Sequence, residues 1–272
     1  MEASRENKRA SDQAVSALKY AISIQKKRLG PHHSLIQSSL CALGKAHYRR
    51  REYSCAVEAY ETCLRIRAGK RDSGMGVADV LNRIGNVKYH QAVEYMIHMP
   101  PILSAVRIKS SSPRKLLKDA MKRYQAALTI YKGLSTNGEE TSISEKIQAS
   151  NNDEAFVIEN IGNVHFRMNR YDDALSHYNA SINYWLSIQS SYKDVDNSTE
   201  ITSILANTYT FVGDLYKVRG EKNKDDKYLQ TALDYFKKAL QMKTDCIKEL
   251  GKSNGKILFI NISFLYMLFS NY

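Results

Sequence analysis

The sequence predicts an all-α fold built from repeated helical hairpins. The main observation is a pattern that occurs four times: an apolar residue and Gly on one segment, then Ala, a large residue four positions later and a small residue three positions after that on the next segment. Apolar residues recur at helical spacing in both segments. Only 4 prolines occur in 272 residues, which is compatible with helix along most of the chain. We expect the hairpins to stack into a solenoid with almost no strand.

The first copy of the pattern shows why it indicates a hairpin. Gly44 lies on the first segment, Ala56 and Tyr60 lie on the second, and the helical period breaks after Arg51. Small residues at Gly44 and Ala56 let two helices approach closely, so that the ring of Tyr60 fills the remaining space. The break followed by a new period predicts two helices instead of one.

The later copies centre on Gly85, Gly162 and Gly213. Their second segments carry Ala120, Tyr124 and Ala127, then Ala174, Tyr178 and Ser181, then Ala232, Phe236 and Ala239. These residues resemble the tetratricopeptide repeat family, whose motif places an apolar-Gly pair on the first helix and Ala-x3-aromatic-x2-Ala-Leu on the second. The resemblance implies that the helical-hairpin solenoid is a right-handed superhelix.

One subfamily is more similar still. Leu29-Gly30-x2-His33 leads into Gly44, and the next repeat glycine follows 41 positions later, as in the long repeats of kinesin light chains. Those repeats place an Asn three residues before the glycine. Asn82 matches that Asn, whereas Cys41, Glu159 and Thr210 depart from it. No heptad region of the kind that binds a motor heavy chain is visible, so the resemblance implies the repeat type and not a motor role.

Taken in order, the elements define an array over residues 11–250. We predict a disordered N-terminus at 1–10, an orphan helix at 11–29, repeats at about 34–69, 77–133, 153–189 and 202–246, and an apolar C-terminal tail at 257–272. Ser11 or Asp12 is placed to cap the orphan helix, and Gly30-Pro31 ends it. The polar linker 135–152 is predicted to be disordered or loosely helical.

Two insertions interrupt the repeats, and both are predicted to be loops. The first, 90–113, has an apolar front and a basic, Ser-rich end, and insertions of this kind are frequent functional sites. Ser112-Pro113-Arg114-Lys115 fits a proline-directed kinase consensus, which makes Ser112 a candidate phosphosite and a switch for a regulatory subunit. The second insertion, 220–227, carries charges of both signs. In the tail at 257–272, the apolar run Ile257 to Phe269 is too short to cross a membrane. The tail is covered by a partner, makes a weak membrane contact or, as we favour, is an extension foreign to the fold.

The charge of the chain is unevenly distributed. The net charge is +12, with 25 Lys and Arg against 10 Asp and Glu in residues 1–136, but 15 against 18 in residues 137–272. A basic half can attract an acidic partner, nucleic acid or an anionic membrane surface, or its cations can simply be solvated outer faces.

Composition also limits chemistry and location. The 4 cysteines lack the spacing of zinc ligands and are expected to be reduced core residues. The N-terminus is charged and has no apolar run, which favours a cytoplasmic location. No catalytic motif or paired carboxylates are present, so we expect no enzyme activity, no cofactor and no metal.

The inner wall of a helical solenoid, lined by the first helix of each hairpin, is its usual binding surface. Residues three before and one, four and five after the repeat glycine share one helical face. This face supplies nine candidate partner-binding residues: Lys45, Tyr48, Arg49, Asn82, Asn86, Tyr89, Asn163, Phe166 and Arg167. The same positions also hold Cys41, His90, Glu159, Thr210, Asp214, Lys217 and Val218.

The mixture of residues on this face favours one function. Asn amides can pair with the backbone of an extended peptide, and aromatic rings offer apolar contact. A nucleic-acid groove would carry mainly Lys and Arg beside its aromatics. The sequence therefore predicts a non-catalytic adaptor that binds a protein or peptide, an acidic one in particular, in its concave groove. RNA or anionic-surface binding by the basic half is the alternative, and a regulatory subunit that positions an enzyme, with Ser112 as its switch, is a third. The groove positions can also be ordinary solvated residues, with binding carried by the insert or the convex face.

Overall fold

The computed structural model describes residues 2–68, 74–98, 112–136, 144–191 and 195–254. The described residues form nine α-helices and no β-strand, which confirms the all-α prediction. The helices are α1 (Glu2–Leu29), α2 (Ser34–Arg49), α3 (Tyr53–Ala68), α4 (Gly74–His98), α5 (Pro113–Thr136), α6 (Ser144–Arg167), α7 (Tyr171–Ser191), α8 (Val195–Asn223) and α9 (Asp226–Asn254). The chain divides into two compact units, Met1–Met168 and Asn169–Tyr272. The third predicted repeat is therefore shared, with α6 in the first unit and α7 in the second.

The first unit alternates between two layers of helices. Each helix from α1 to α6 contacts the next, and α4 also contacts α6. Helices α2, α4 and α6 thus form one layer and α1, α3 and α5 the other. The core lies between the layers and contains Ile36, Ile84 and Leu117, all fully or almost fully buried.

The repeated glycines are required by contacts with aromatic rings. A Cβ added at Gly44 would stand 2.7 Å from the Tyr60 ring, and one at Gly85 would stand 2.5 Å from the Tyr124 ring. In the second unit a Cβ at Gly213 would stand 2.6 Å from the ring of Phe236. We call this arrangement the glycine–ring contact. It explains why the sequence pattern pairs a glycine on the first helix with a large residue on the second.

Helix ends are fixed by local residues. Gly30 adopts a φ of +81° after α1, a conformation that a side chain would strain. His33 caps α2, because its Nδ1 accepts a hydrogen bond from the backbone N–H of Leu35 at 3.2 Å. Ser112 caps α5 in the same way, accepting from Lys115 N–H at 3.3 Å.

The 220–227 insertion is not a loop. Helix α8 continues to Asn223 and α9 begins at Asp226. Arg51, Asn169 and Lys224 all have a left-handed φ in the turns between helices, but this residue follows its repeat glycine by 7 positions in the first and third repeats and by 11 in the fourth. Four extra residues add about one helical turn, so the same turn is reached later and the helix faces are preserved.

Two other boundaries differ from the sequence predictions. Helix α1 begins at Glu2 and not at Ser11, because residues 1–10 contain strong helix formers and no Gly or Pro. The apolar front of the 90–113 insertion extends α4 to His98, and Ala92 is fully buried. Ala92 continues the buried face of α4 into the insertion, whereas the larger apolar residues Tyr95, Met96 and Ile97 are exposed. Residues 99–111 and the tail 257–272 lie outside the described residues.

The second unit contains a row of stacked tyrosines. In order, Arg219 lies over Tyr228 at 5.0 Å, Tyr228 stacks on Tyr216 at 6.0 Å, Tyr216 on Tyr235 at 5.6 Å and Tyr235 on Tyr209 at 6.0 Å, and Lys238 lies over Tyr209 at 4.0 Å. We call these four rings the tyrosine stack. Trp185 of α7 is almost fully buried in the same unit. Within the described ranges, no helix is apolar over a length that would cross a bilayer.

Candidate functional site

A continuous line of aromatic and cationic side chains crosses α2, α4 and α6. Tyr48 of α2 meets His90 of α4 edge to face at 5.6 Å, and His90 meets Tyr89 at 5.3 Å. The hydroxyl of Tyr89 accepts a hydrogen bond from Nε of Arg167 on α6 at 3.4 Å, and the Arg167 guanidinium lies 5.6 Å from the centroid of the Phe166 ring. We call these five residues the aromatic ladder. It joins three helices of one layer along a single surface.

The repeat explains why the ladder forms. Tyr48, Tyr89 and Phe166 each stand four residues after a repeat glycine. Equal spacing from the glycine places the three rings at equivalent positions on their helices. Because α2, α4 and α6 share a layer, equivalent positions come together in a row. Four of the nine candidate residues, Tyr48, Tyr89, Phe166 and Arg167, therefore meet in one line.

The charge of this surface is positive. Lys45 and Arg49 are exposed and make no ion pair with another described residue. Glu94 lies nearby on α4, but its carboxylate accepts a hydrogen bond from Arg51 at 2.8 Å. Hydrogen bonds from Tyr53 and Arg51 hold the pKa of Glu94 below its usual value. Burial, and next the charge of Arg167, lower the pKa of His90, which favours the neutral ring.

The asparagines are used differently from the prediction. The hydroxyl of Tyr124 donates to Asn86 Oδ1 at 2.7 Å, so Asn86 serves the partner helix α5 and does not point away from it. The reason is that the buried Tyr124 hydroxyl needs an acceptor, and Asn86 follows the glycine on which its ring lies. Asn82 remains in the layer of first helices, where its Oδ1 accepts from Asn160 Nδ2 of α6 at 3.1 Å.

Not every position assigned to the inner wall reaches the surface. Glu159 of α6 is buried, and Asn163 on the same helix is half-buried. Thr210 of α8 is buried and donates its hydroxyl hydrogen bond to the Ala206 carbonyl at 2.9 Å. These two buried residues fall outside any accessible groove. At the position three residues before the repeat glycine, Glu159 and Thr210 are thus buried, whereas Cys41 and Asn82 are half-buried.

Solved structures of repeat proteins are similar to the chain over most of its length. BtubC (BKLC) from P. vanneervenii has 13% identity and a TM-score of 0.45, covering 91% of this chain and 93% of its own. A Podosopora anserina protein described as a kinesin light chain with nearly identical TPR-like repeats has 15% identity and a TM-score of 0.47, with 90% and 93% covered. The described helices themselves show an all-α fold of consecutive helical hairpins. No protein-family model and no curated protein matches the sequence.

Two features of the TPR-like hairpins escaped sequence reasoning. Cys41 of α2 and Cys63 of α3 bring their Sγ atoms to 3.3 Å from each other. Glu52, at the start of α3, accepts from His47 Nδ1 at 2.5 Å and from Arg50 Nε at 2.8 Å, and these hydrogen bonds lower the pKa of Glu52. Both depend on the close approach of two helices. In the part of the chain that the structure describes, no three His, Cys, Asp or Glu residues converge as metal ligands would.

Proposed function

We propose that this TPR-like protein is a non-catalytic adaptor that binds a protein segment along the aromatic ladder. The observation that supports the proposal is the ladder itself, because it joins Tyr48, His90, Tyr89, Arg167 and Phe166 into one surface across three helices. Rings and a guanidinium in a row offer both apolar and charged contacts to an extended chain. A helical repeat presents such a row without a closed pocket for chemistry.

The charge of the surface favours an acidic partner. On α2, Lys45 and Arg49 each lie within one helical turn of Tyr48. Neither cation forms an ion pair with another described residue, so both can contact a partner. Arg167 is exposed beside Phe166, so it can meet a carboxylate while the ring meets an apolar side chain. We therefore propose an acidic segment with interspersed apolar residues. The Asn82 amide nitrogen lies in the same layer and is suited to donate to the segment's backbone.

The test uses a displayed library of unstructured peptides selected against the full chain. Selected peptides are resynthesised and their Kd values measured by fluorescence anisotropy. Tyr89→Ala and Arg167→Gln should each weaken binding by about tenfold or more, as expected for central aromatic and arginine contacts. Lys118→Ala, an exposed cation on α5, is the matched control and should leave Kd unchanged. Peptides that bind the ladder variants as well as the native chain would overturn the proposal.

RNA binding remains the alternative function, and the basic N-terminal half motivates it. Several of that half's arginines are already paired, since Arg50 contacts Asp12, Arg51 contacts Glu94, Arg83 contacts Asp79 and Arg123 contacts Glu61. A single-stranded RNA oligonucleotide is the probe. A steep, linear fall of log affinity with log salt, larger than the fall for the selected peptides, would favour RNA over an acidic segment.

Ser112 is a proposed phosphosite that would regulate the adaptor. It is exposed, precedes Pro113 and caps α5, so a phosphate there would meet the positive end of the helix. Equal peptide affinities for Ser112→Ala and Ser112→Glu would remove this proposal without affecting the ladder. The cytoplasmic location and the absence of catalysis remain predictions from the sequence.

A further inference from the structure

Two thiols face each other inside the first hairpin. Cys41 on α2 and Cys63 on α3 are 22 positions apart in the chain, yet their Sγ atoms lie 3.3 Å apart. Cys63 is fully buried, and Cys41 is half-buried and borders the surface. The register of the hairpin produces this pair, because Cys41 stands three residues before Gly44 and Cys63 three residues after Tyr60.

A cation lies beside the pair. Arg67 follows Cys63 by about one turn of α3, and its guanidinium occupies the space beside Gly76 of α4 where a Cβ would otherwise stand. Its Nε atom is buried and has no hydrogen-bond partner among the described residues. A guanidinium held next to a thiol stabilises the thiolate, which is the reactive form of cysteine.

The surroundings shift the pKa values of the two thiols in opposite directions. A hydrogen bond from the Cys41 thiol, and next the charge of Arg67, outweigh burial and lower the pKa of Cys63 to about 7. The hydrogen bond to Cys63 and burial raise the pKa of Cys41. Of the two thiols, Cys63 is therefore the one that ionises more easily.

We propose that Cys41 and Cys63 form an oxidation site in which a peroxide converts the two thiols into a disulfide across the α2–α3 hairpin. The Cys63 thiolate attacks one peroxide oxygen, the O–O bond breaks and hydroxide leaves, giving a sulfenic acid. Cys41 Sγ then attacks Cys63 Sγ, the S–O bond breaks and a second hydroxide leaves. The two thiol protons convert both hydroxides to water. The net change is two thiols and one hydrogen peroxide giving one disulfide and two waters.

The small size of hydrogen peroxide suits the site. Cys63 is buried and Cys41 borders the surface, so a small oxidant reaches the pair more readily than a bulky one. The disulfide would link α2 to α3 in the first hairpin. Cys41 occupies the same repeat position on α2 as Asn82 does on α4, three residues before the repeat glycine. The disulfide thus forms beside the layer that carries the aromatic ladder.

The experiment treats the reduced full chain with hydrogen peroxide, then blocks the remaining thiols with iodoacetamide and maps them by mass spectrometry. The expected product has lost two hydrogens, links Cys41 to Cys63 and carries the blocking group on Cys55 and Cys246. Cys55→Ser is the matched control, because Cys55 is an exposed thiol on α3, and it should form the same product at the same rate. The same treatment in urea should give a mixture that also includes Cys41–Cys55 and Cys55–Cys63.

The pH dependence of disulfide formation in Arg67 variants is a second readout. A purely structural role of Arg67 would not change this pH dependence. The rate of disulfide formation should rise as pH passes through about 7. Arg67→Gln should move this rise to higher pH and slow the reaction at pH 7, by about tenfold for each pH unit of displacement. Arg67→Lys should restore most of the rate, and circular dichroism checks that both variants are folded. Oxidation confined to Cys55, or the same mixture of pairs in native and urea-unfolded chains, would overturn the proposal.

Discussion

The first and last hairpins use the same glycine–ring contact but differ beside it. Four equivalent positions lie around that contact: four before and three after the repeat glycine, four before the alanine and one before the large ring. They hold Leu40, His47, Glu52 and Ala59 in the α2–α3 hairpin and Tyr209, Tyr216, Tyr228 and Tyr235 in the α8–α9 hairpin. The smaller set leaves an open groove of about 320 Å³ against α1, whereas the four tyrosines form the tyrosine stack.

This difference separates two roles within one repeat. The glycine–ring contact fixes how close the two helices lie, because any side chain at the glycine would overlap the ring. The lateral positions then determine whether the side of the hairpin is hollow or filled with rings. Hairpins of the same geometry can therefore differ in stability and in the surfaces they present.

The strongest test of the shared part is a methyl group at the glycines. Gly85→Ala and Gly213→Ala should each lower the free energy of unfolding by about 2 kcal/mol, since overpacking against Tyr124 or Phe236 exceeds the gain in helix propensity. Gly133→Ala on α5 is the control, because nothing lies within 4 Å of its added Cβ. The control should stabilise by about 0.5–1 kcal/mol. Urea denaturation measures all three, and a cost in only one hairpin would break the comparison.

A second test addresses the filled side of the last hairpin. Tyr235→Ala removes a ring that stacks on two neighbours, Tyr216 and Tyr209, and should cost about 1.5–2 kcal/mol in urea denaturation. Tyr235→Leu, which keeps apolar volume, should recover part of that loss. Tyr20→Ala on the exposed surface of α1 serves as the control and should change stability by less than about 0.5 kcal/mol. Equal costs for Tyr235→Ala and Tyr20→Ala would mean that the stack contributes nothing.

Caps offer a smaller test that can be compared between the units. Ser112 caps α5, and Asp225 caps α9 by accepting from Lys227 N–H at 3.0 Å. Ser112→Ala and Asp225→Ala should each cost about 1 kcal/mol by thermal unfolding, and Ser112→Asp should cost little because Asp also caps well. If Ser112→Asp is as unstable as Ser112→Ala, the serine does not act as a cap.

Surface ion pairs should give the smallest effect. Arg123 of α5 contacts Glu61 of α3 at 3.2 Å, and Arg219 of α8 contacts Asp172 of α7 at 2.7 Å. Arg123→Gln should cost less than about 0.5 kcal/mol and lose that cost in high salt. Arg219→Gln should cost more, about 1 kcal/mol, because Arg219 also lies over Tyr228. Urea denaturation at low and high salt measures both, and a salt-independent cost for Arg123→Gln would contradict the first expectation.

The sequence predicted the parts of the fold that depend on period and residue size. Gly44, Gly85 and Gly213 with their rings were identified because small and large residues alternate at fixed spacing. The end of α8 at Asn223 was missed, because an insertion that adds about one whole turn continues a helix and leaves no break in the helical period. The extension of α4 to His98 was also missed, since the insertion was assigned to a loop from His90 onwards. The length and polarity of an inserted segment do not distinguish an added helical turn from a loop.

The sequence predicted which helix positions form the candidate site, but it predicted less well which way each side chain points. Tyr48, Tyr89 and Phe166 share a spacing from the repeat glycine, so their alignment followed from sequence. Asn86 could not be placed, because its acceptor role depends on where the Tyr124 hydroxyl ends. The Cys41–Cys63 pair was open to inference from antiparallel register, since residues equally distant from a contacting pair face each other, but only once Gly44 and Tyr60 were known to touch.

The late position of the turn between α8 and α9 indicates how a helical hairpin can change its length. A hairpin whose two helices each gain about one full turn keeps every inward side chain facing inward, while its tip moves outward by about 5 Å. Insertions or deletions of whole turns therefore lengthen or shorten a hairpin without changing how its helices pack at the glycine–ring contact. Insertions of one or two residues would instead rotate the outer part of the helix and expose its apolar stripe.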